Sequence, residues 1–124
     1  MHGWKVLPIL IAAGCGAGST WPSPPAGFGD ADQVATGRHL FEEHCAICHG
    51  ESGDGHGQRH SSLSSEPPDF NQPDWQGRRS AGHVYAIIQD GKRGTSMPAW
   101  VGKLSSDQIW AITASVKSRG PEPR

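Results

Sequence analysis

The sequence predicts a small, loop-rich helical domain, and three observations support that prediction. First, 17 Gly and 10 Pro stand among only 124 residues, so loops occupy much of the chain. Second, residues 33–45 and 81–89 carry apolar side chains at helical spacing. Third, Ser105 is followed three residues later by Gln108, which is the arrangement of a capping box at the start of a helix.

Each predicted helix has a recognisable apolar face. The first, over residues 33–45, presents Val34, Gly37, Leu40 and Phe41. The second, over residues 81–89, presents Val84, Tyr85, Ile87 and Ile88, and is closed by Asp90 and Gly91. The last, starting at Ser105, presents Ile109, Ile112 and Val116, with Trp110 at one edge.

The composition leaves such a domain short of apolar side chains for a core. Leu, Ile, Val and Phe make up about one residue in six. Because the net charge is only −1, the chain lacks the high charge typical of disordered proteins, and we expect a metal, a disulfide or a cofactor to complete the core. The same charge argues against a nucleic-acid partner, and no apolar run reaches the 18 residues of a membrane-spanning helix.

Residues 1–14 have the features of a secretory signal peptide. Lys5 precedes the apolar residues 6–13, and small residues lead into Cys15. This pattern resembles a bacterial lipoprotein signal, in which the cysteine becomes the acylated first residue of the mature chain. Ala12 departs from it, since Leu is more usual there. Ordinary cleavage with a free Cys15, or an uncleaved anchor, therefore stay open as alternatives.

Residues 15–31 are interpreted as the lipidated Cys15 followed by a flexible tether. Residues 16–30 are rich in Pro, Gly and Ser and follow neither helical nor strand periodicity. Fully extended, they span at most about 50 Å. A multi-chain lipid on Cys15 would give stable membrane attachment to a domain over residues 32–119. Residues 120–124 are expected to form a disordered tail.

The remaining cysteines form a signature for covalent haem attachment. Cys45 and Cys48 are followed directly by His49, the C-x-x-C-H string of c-type haem. The two thiols lie about one helical turn apart, as addition to two vinyl groups of one porphyrin requires, and the histidine can ligate the iron. A thioredoxin-like redox pair lacks its βαβ context here, and a zinc site lacks a second pair of ligands.

The second axial ligand is predicted to be Met97. It is the only methionine left once the signal is removed, and it lies in a stretch without periodicity, just before Pro98. A lone methionine is usually a core residue. In a haem c chain the ligand interpretation is favoured, and Met/His ligation raises the reduction potential relative to two histidines.

Together these motifs identify a family resemblance. Residues 32–119 resemble the class I c-type cytochromes, in their single-haem bacterial branch. The matching stretches are residues 37–41, 45–50, 67–70, 97–100 and 104–110.

The resemblance implies an all-α fold of about three to five helices wrapped round one covalently attached haem c. In this family a glycine near Gly37 lets the last helix cross closely, and the aromatic at Phe41 packs beside it. Ser115 stands where the family often has an aromatic residue, so we expect Trp110 to supply more of the packing.

The resemblance also implies a set of residues round the haem. The carbonyl of Pro68, or else that of the adjacent Pro67, is expected to accept a hydrogen bond from the second ring nitrogen of His49. Donors suited to the haem propionates are Trp75, Arg78 and Arg79, with Trp100 in the same pocket. A solvated basic loop is the alternative for the arginines.

The predicted function is electron transfer by a membrane-tethered carrier, not catalysis, because no nucleophile–base or acid–base carboxylate pair is evident. The alternatives are an electron-transfer subunit of a periplasmic dehydrogenase or terminal oxidase, and a haem sensor or enzyme with a labile sixth ligand. Because bacterial haem c attachment occurs outside the cytoplasmic membrane, the chain is expected in the periplasm, with an anchored domain on a Gram-positive surface as the alternative. Its partners would be redox proteins, with no small-molecule substrate. Basic residues near Met97 are candidates for docking an acidic partner, or form an ordinary solvated face: Lys92, Arg93 and Lys103.

Overall fold

The protein is described by a computed structural model that covers residues 2–3, 8–9 and 20–120. Five α-helices follow one another, with a short 3₁₀ turn at His60–Ser62 between the second and third. They are α1 (Ala31–His44), α2 (Ala46–His49), α3 (Pro73–Arg78), α4 (Ala81–Asp90) and α5 (Ser106–Lys117). Across these described residues the only β pairing is an isolated bridge, so the all-α prediction is confirmed.

Helix α1 begins two residues before the predicted start because Asp30 caps it. The Asp30 carboxylate accepts a hydrogen bond from the backbone N–H of Gln33 at 2.8 Å. At its other end the backbone N–H of Cys45 still donates to the carbonyl of Phe41, at 2.8 Å, and α2 starts at the next residue. The haem motif is therefore held directly at the end of α1.

Helix α5 is the most buried element. The capping box between Ser105 and Gln108 is present as predicted, and every residue from Ile109 to Val116 is buried. Ser115 is fully buried and donates its hydroxyl to the Ile112 carbonyl at 2.7 Å. Trp110 stacks on Tyr85 with ring centroids 4.2 Å apart, which agrees with its expected larger share of the packing.

The segment before α1 lies against the domain. The ring of Trp21 stacks on His83 of α4 at 4.2 Å, and Phe28 meets the edge of Trp110 at 5.7 Å. Gly82 leaves no room for a side chain, since a Cβ there would lie 2.1 Å from the carbonyl oxygen of Pro22. The second half of the predicted tether is thus packed on α4 and α5, because it contains these aromatic rings. The division of the chain into signal, tether, cytochrome domain and tail stays a prediction.

Helix α3 was not predicted as a helix. It starts with Pro73 at its first turn, a position that proline favours. Gln76 donates to the Val116 carbonyl at 2.9 Å, and the ammonium of Lys117 donates to the carbonyls of Gln76 and Arg79 at 2.7 and 2.5 Å. These bonds fasten α3 to the end of α5.

Within the described residues no helix is both long enough and apolar enough to cross a bilayer. Cys15, the predicted lipidation site, lies outside those residues, as do most of the predicted signal and tail. Lipidation therefore stays a prediction.

Candidate functional site

A cavity of about 740 Å³ lies between the helices and the loops that join them. Most of the residues predicted to surround a haem line it. They are Cys45, Cys48, His49, Pro68, Trp75, Arg79, Met97 and Trp100.

The two cysteines and the histidine reach this cavity from one continuous helical turn. The backbone N–H groups of Cys48 and His49 both donate to the carbonyl of Cys45, at 3.1 and 2.9 Å. Cys45 is the N-cap of α2 and Cys48 lies within it, so the thiols are presented about one turn apart, as attachment to a single porphyrin requires.

The His49 ring lies beside two aromatic side chains. The ring of Phe70 stacks on it at 5.0 Å with an interplanar angle of 21°, and the ring of Phe41 lies 6.2 Å away. Burial lowers the pKa of His49 to about 4, so its imidazole is neutral at pH 7. A neutral imidazole is the form that binds a metal.

The Nδ1 atom of His49 is buried and has no hydrogen-bond partner. Pro68 lines the cavity, yet the expected hydrogen bond from His49 to its carbonyl is not formed in this structure. Gly55 lies between His49 and the Pro67–Pro68 segment. Its N–H donates to the His49 carbonyl at 2.8 Å, and a Cβ on it would lie 2.6 Å from the carbonyl oxygen of Pro67.

The segment carrying Met97 is fixed to the end of α4. The N–H of Trp100 donates to the Ile88 carbonyl at 3.0 Å, and the N–H of Lys92 donates to the Met97 carbonyl at 3.3 Å. Gly91 has a φ of 73°, and a Cβ there would lie 2.8 Å from the Met97 carbonyl oxygen. The half-buried Met97 side chain lies against the core and lines the cavity.

The polar residues predicted for the propionates are only partly brought together. Trp75 and Arg79 line the cavity, whereas Arg78 is exposed and is not among the lining residues. The difference coincides with the end of α3: Arg78 is its last residue, whereas the backbone of Arg79 is already extended. Trp75 also contacts Phe70, with ring centroids 4.7 Å apart.

Sequence reasoning missed one wall of the cavity. The loop over residues 59–66 supplies Arg59, Leu63 and other lining residues, although it has no periodicity that would mark it. Ser64 joins this loop to the Met97 segment, since its N–H donates to the hydroxyl of Ser96 at 3.0 Å. This contact links residues that are distant in sequence, so no local signal could have identified it.

The thiols do not have the character of a reactive redox pair. Burial, with a smaller contribution from the neighbouring Cys48, raises the pKa of Cys45 to about 12. A redox-active cysteine needs a lowered pKa, because the thiolate is the reactive form. The cavity, the neutral buried imidazole and the paired thiols instead fit a covalently attached haem.

A family model described as "Cytochrome C oxidase, cbb3-type, subunit III" matches residues 32–114. The chain belongs to this family of c-type cytochrome domains. The cytochrome binds haem c covalently and functions in electron transfer, so the predicted family and cofactor are confirmed.

Known relatives support this placement of the cytochrome. It is 30% identical over 112 residues to cytochrome c6 of Synechococcus sp. (strain ATCC 27167 / PCC 6312), covering 90% of each chain. It is 29% identical over 91 residues to the cbb3-type cytochrome c oxidase subunit CcoP of Azospirillum sp. (strain B510), covering 73% of this chain and 30% of that one. It thus spans less than a third of the length of the CcoP and FixP relatives that it matches.

A solved structure is also similar to the cytochrome. A chain of the Kuenenia stuttgartiensis reducing HAO-like protein complex superposes with a TM-score of 0.65 and 30% identity. The match covers 77% of this chain and 48% of that one.

Proposed function

We propose that this cytochrome is a single-haem electron carrier in which Cys45 and Cys48 form the two thioether bonds and His49 and Met97 are the axial ligands. The observation that carries the proposal is the cavity that all four residues line. Haem c supplies the one-electron Fe(III)/Fe(II) chemistry when bound.

The side chains of the cavity have separate tasks in this proposal. The rings of Phe41 and Phe70 hold the His49 imidazole and keep water from it. The backbone bonds between α4 and the Met97 segment hold the thioether in place in both oxidation states. Trp75 and Arg79 are the proposed donors to the propionates, and the exposed Arg78 is left to solvent.

Carbon monoxide tests the ligand assignment. The oxidised protein should show the weak far-red band of Met-ligated ferric haem, and the reduced protein should not bind carbon monoxide. Met97→Ala should lose the band, bind carbon monoxide and have a lower reduction potential, whereas Val101→Ala, at an exposed position nearby, should behave like the wild type. An unchanged spectrum in Met97→Ala would exclude Met97 as a ligand.

The same experiment separates a carrier from a haem sensor or enzyme with an open sixth site. Wild-type protein that lacks the far-red band and binds carbon monoxide readily would favour the latter. Retention of both ligands favours the carrier, because electron transfer then needs little rearrangement.

We propose that the mature chain works in the periplasm and is anchored through a lipid on Cys15. Support comes from the signal-like residues 1–14 and from haem c attachment, which in bacteria occurs outside the cytoplasmic membrane. Cys15→Ser should release a soluble protein that still contains haem. Membrane association that persists unchanged in this variant would contradict the anchor.

The proposed partners are redox proteins with acidic docking faces. Three cations near the Met97 segment are exposed: Lys92, Arg93 and Lys103. Lys92 also lines the cavity, and the Lys103 ammonium lies 5.7 Å from the centre of the Trp100 ring. Cations placed round a site of electron exit steer association with negative partners. Raising the ionic strength should slow reduction by the true partner, and a rate independent of salt would contradict this role.

A lasting subunit of an oxidase or dehydrogenase complex is the second candidate. The family description and the CcoP relative favour it. Co-purification at a fixed stoichiometry after mild detergent extraction would support the subunit role, and a monomeric cytochrome in the same extract would support the free carrier.

A further inference from the structure

Beyond the ligands and the cavity lining, Arg119 is a cation held close behind the haem motif. It lies two residues after the end of α5 and outside residues 32–114, the part matched by the family model. The centre of its guanidinium lies 4.3 Å from the centroid of the Phe41 ring. Phe41 in turn contacts His49 and hydrogen-bonds to Cys45 through its carbonyl.

The position of this guanidinium is fixed on several sides. Its Nη1 donates to the carbonyl of Glu51 at 3.1 Å, in the loop that leaves His49. Gly53 makes room for the side chain, since a Cβ there would lie 2.8 Å from the Arg119 Cδ. The arginine therefore bridges the end of α5, the ring of Phe41 and the loop after the motif.

The charge of Arg119 is poorly compensated. Its Nε is buried without a hydrogen-bond partner, and among residues 20–120 no carboxylate forms a salt bridge with it. Burial and the nearby Arg38 lower the pKa of Arg119, and the Glu42 carboxylate offsets only part of this; a guanidinium still stays protonated at neutral pH because its ordinary pKa is so high. The positive charge is thus permanent and only partly exposed to water.

We propose that Arg119 raises the reduction potential of the cytochrome by placing a fixed positive charge beside the His49 side of the site. Reduction transfers one electron from a redox partner, lowers the positive charge of the site by one unit, and forms or breaks no bond. A fixed cation in a medium of low dielectric constant favours the less positive, reduced state. The inference depends on the proposed His49 ligation.

The charge can be removed while the packing is largely kept. Arg119→Gln and Arg119→Met both remove it, and the unbranched methionine still covers Phe41, so a stable variant remains if one of the two folds poorly. Arg119→Lys keeps the charge. Arg38→Gln is the matched control, because it removes one positive charge from an exposed position on α1.

The readout is the midpoint potential, measured by redox titration of purified holoprotein followed by visible spectra, with thermal unfolding recorded in parallel. We expect Arg119→Gln and Arg119→Met to shift the equilibrium toward the oxidised form about tenfold, which is about 59 mV for a one-electron couple. Arg119→Lys should keep most of the wild-type potential, and Arg38→Gln should shift it by less than threefold.

Two results would overturn the inference. One is a shift in both neutral variants no larger than that of Arg38→Gln. The other is an equal shift in Arg119→Lys, which would mean that packing and not charge sets the potential. The far-red band and the haem content are recorded on the same samples. Absence of the band in the wild-type protein would reject the proposed Met97 ligation, and this result is distinct from the two that would overturn the role of Arg119.

Discussion

Gly37 of α1 lies directly against the backbone of Ala111 in α5. A Cβ built on Gly37 would come within 1.7 Å of the Ala111 carbonyl oxygen. Position 37 therefore cannot carry a side chain unless the two helices move apart. This crossing brings the end of α1, with its haem motif, up to the most buried helix of the domain.

Gly37→Ala should therefore destabilise the folded holoprotein strongly. Separating two packed helices to admit one methyl group costs about 3 kcal/mol, at the upper end of the usual range for overpacking. Chemical denaturation followed by the visible spectrum measures the loss. Gly77→Ala is the control, since nothing lies within 4 Å of a Cβ there, and it should stabilise α3 slightly. Equal effects of the two changes would show that the crossing is not tight.

Gly91→Ala should displace Met97 through its backbone. The new Cβ would meet the carbonyl oxygen of Met97 and the backbone nitrogen of Ala99, at 2.8 and 2.9 Å, so the Met97 segment must shift away from α4. We expect a weakened far-red band and partial binding of carbon monoxide. Both are measured by visible spectroscopy.

Gly94→Ala is the matched control for that change. Gly94 also has a positive φ, 79°, but nothing lies within 4 Å of its Cβ position. It should lose about 1 kcal/mol of stability from backbone strain and keep the far-red band. A band lost equally in both variants would attribute the effect to strain alone.

Cys48→Ser should leave the haem attached through Cys45 alone, or not stably attached at all. Protein that forms the one thioether keeps its haem covalently, with one vinyl group left unsaturated, whereas protein that forms none releases its haem to acidified organic solvent. Haem staining of denatured protein and the pyridine haemochrome spectrum detect the change. Cys15→Ser serves as the control and should keep both bonds; full retention of haem with two-thioether spectra in Cys48→Ser would contradict the proposed attachment.

The packing of the N-terminal segment should depend on pH through His83. Burial, together with the cations Arg79 and Lys92, lowers the pKa of His83 below its ordinary value of 6.5. The unfolded chain then binds a proton more readily than the folded one. The stability contributed by neutral His83 is complete above pH 6.5 and is lost as the pH falls from there through the lowered pKa.

Thermal unfolding between pH 7.5 and 5 tests this prediction. His83→Phe keeps a ring to stack on Trp21 but cannot be protonated, so its melting temperature should fall less over that range than that of the wild type. Parallel declines in the two proteins would assign the pH dependence to other groups.

Local patterns predicted α1, α4 and α5 because helical periodicity and caps depend on neighbouring residues. The capping box at Ser105 and the ends of α4 required only spacing and residue type, whereas the close crossing at Gly37 was expected from the family resemblance. The wall formed by residues 59–66 was not predictable, since the bond between Ser64 and Ser96 joins two loops without periodicity. Arg78 was assigned together with Arg79 because sequence alone does not show that α3 ends between them.

The aromatic residues near the N-terminus show the same limit. Pro and Gly in residues 16–30 predict a flexible tether, and that composition hides what Trp21 and Phe28 do. Their contacts with His83 and Trp110 arise only once α4 and α5 are in place. A segment that is polar and irregular on average can thus pack through two of its residues.

The crossing of α1 and α5 also determines when this protein can fold. The two helices stand at opposite ends of the domain sequence, so α5 must dock across the whole domain to cover α1. Until it docks, the groove at Gly37 and the apolar face of α1 have no partner, and closing so long a loop is entropically costly. A chain in which α5 has not docked therefore stays open, which leaves the Cys45–His49 turn accessible to haem attachment outside the cytoplasmic membrane before the domain closes over it.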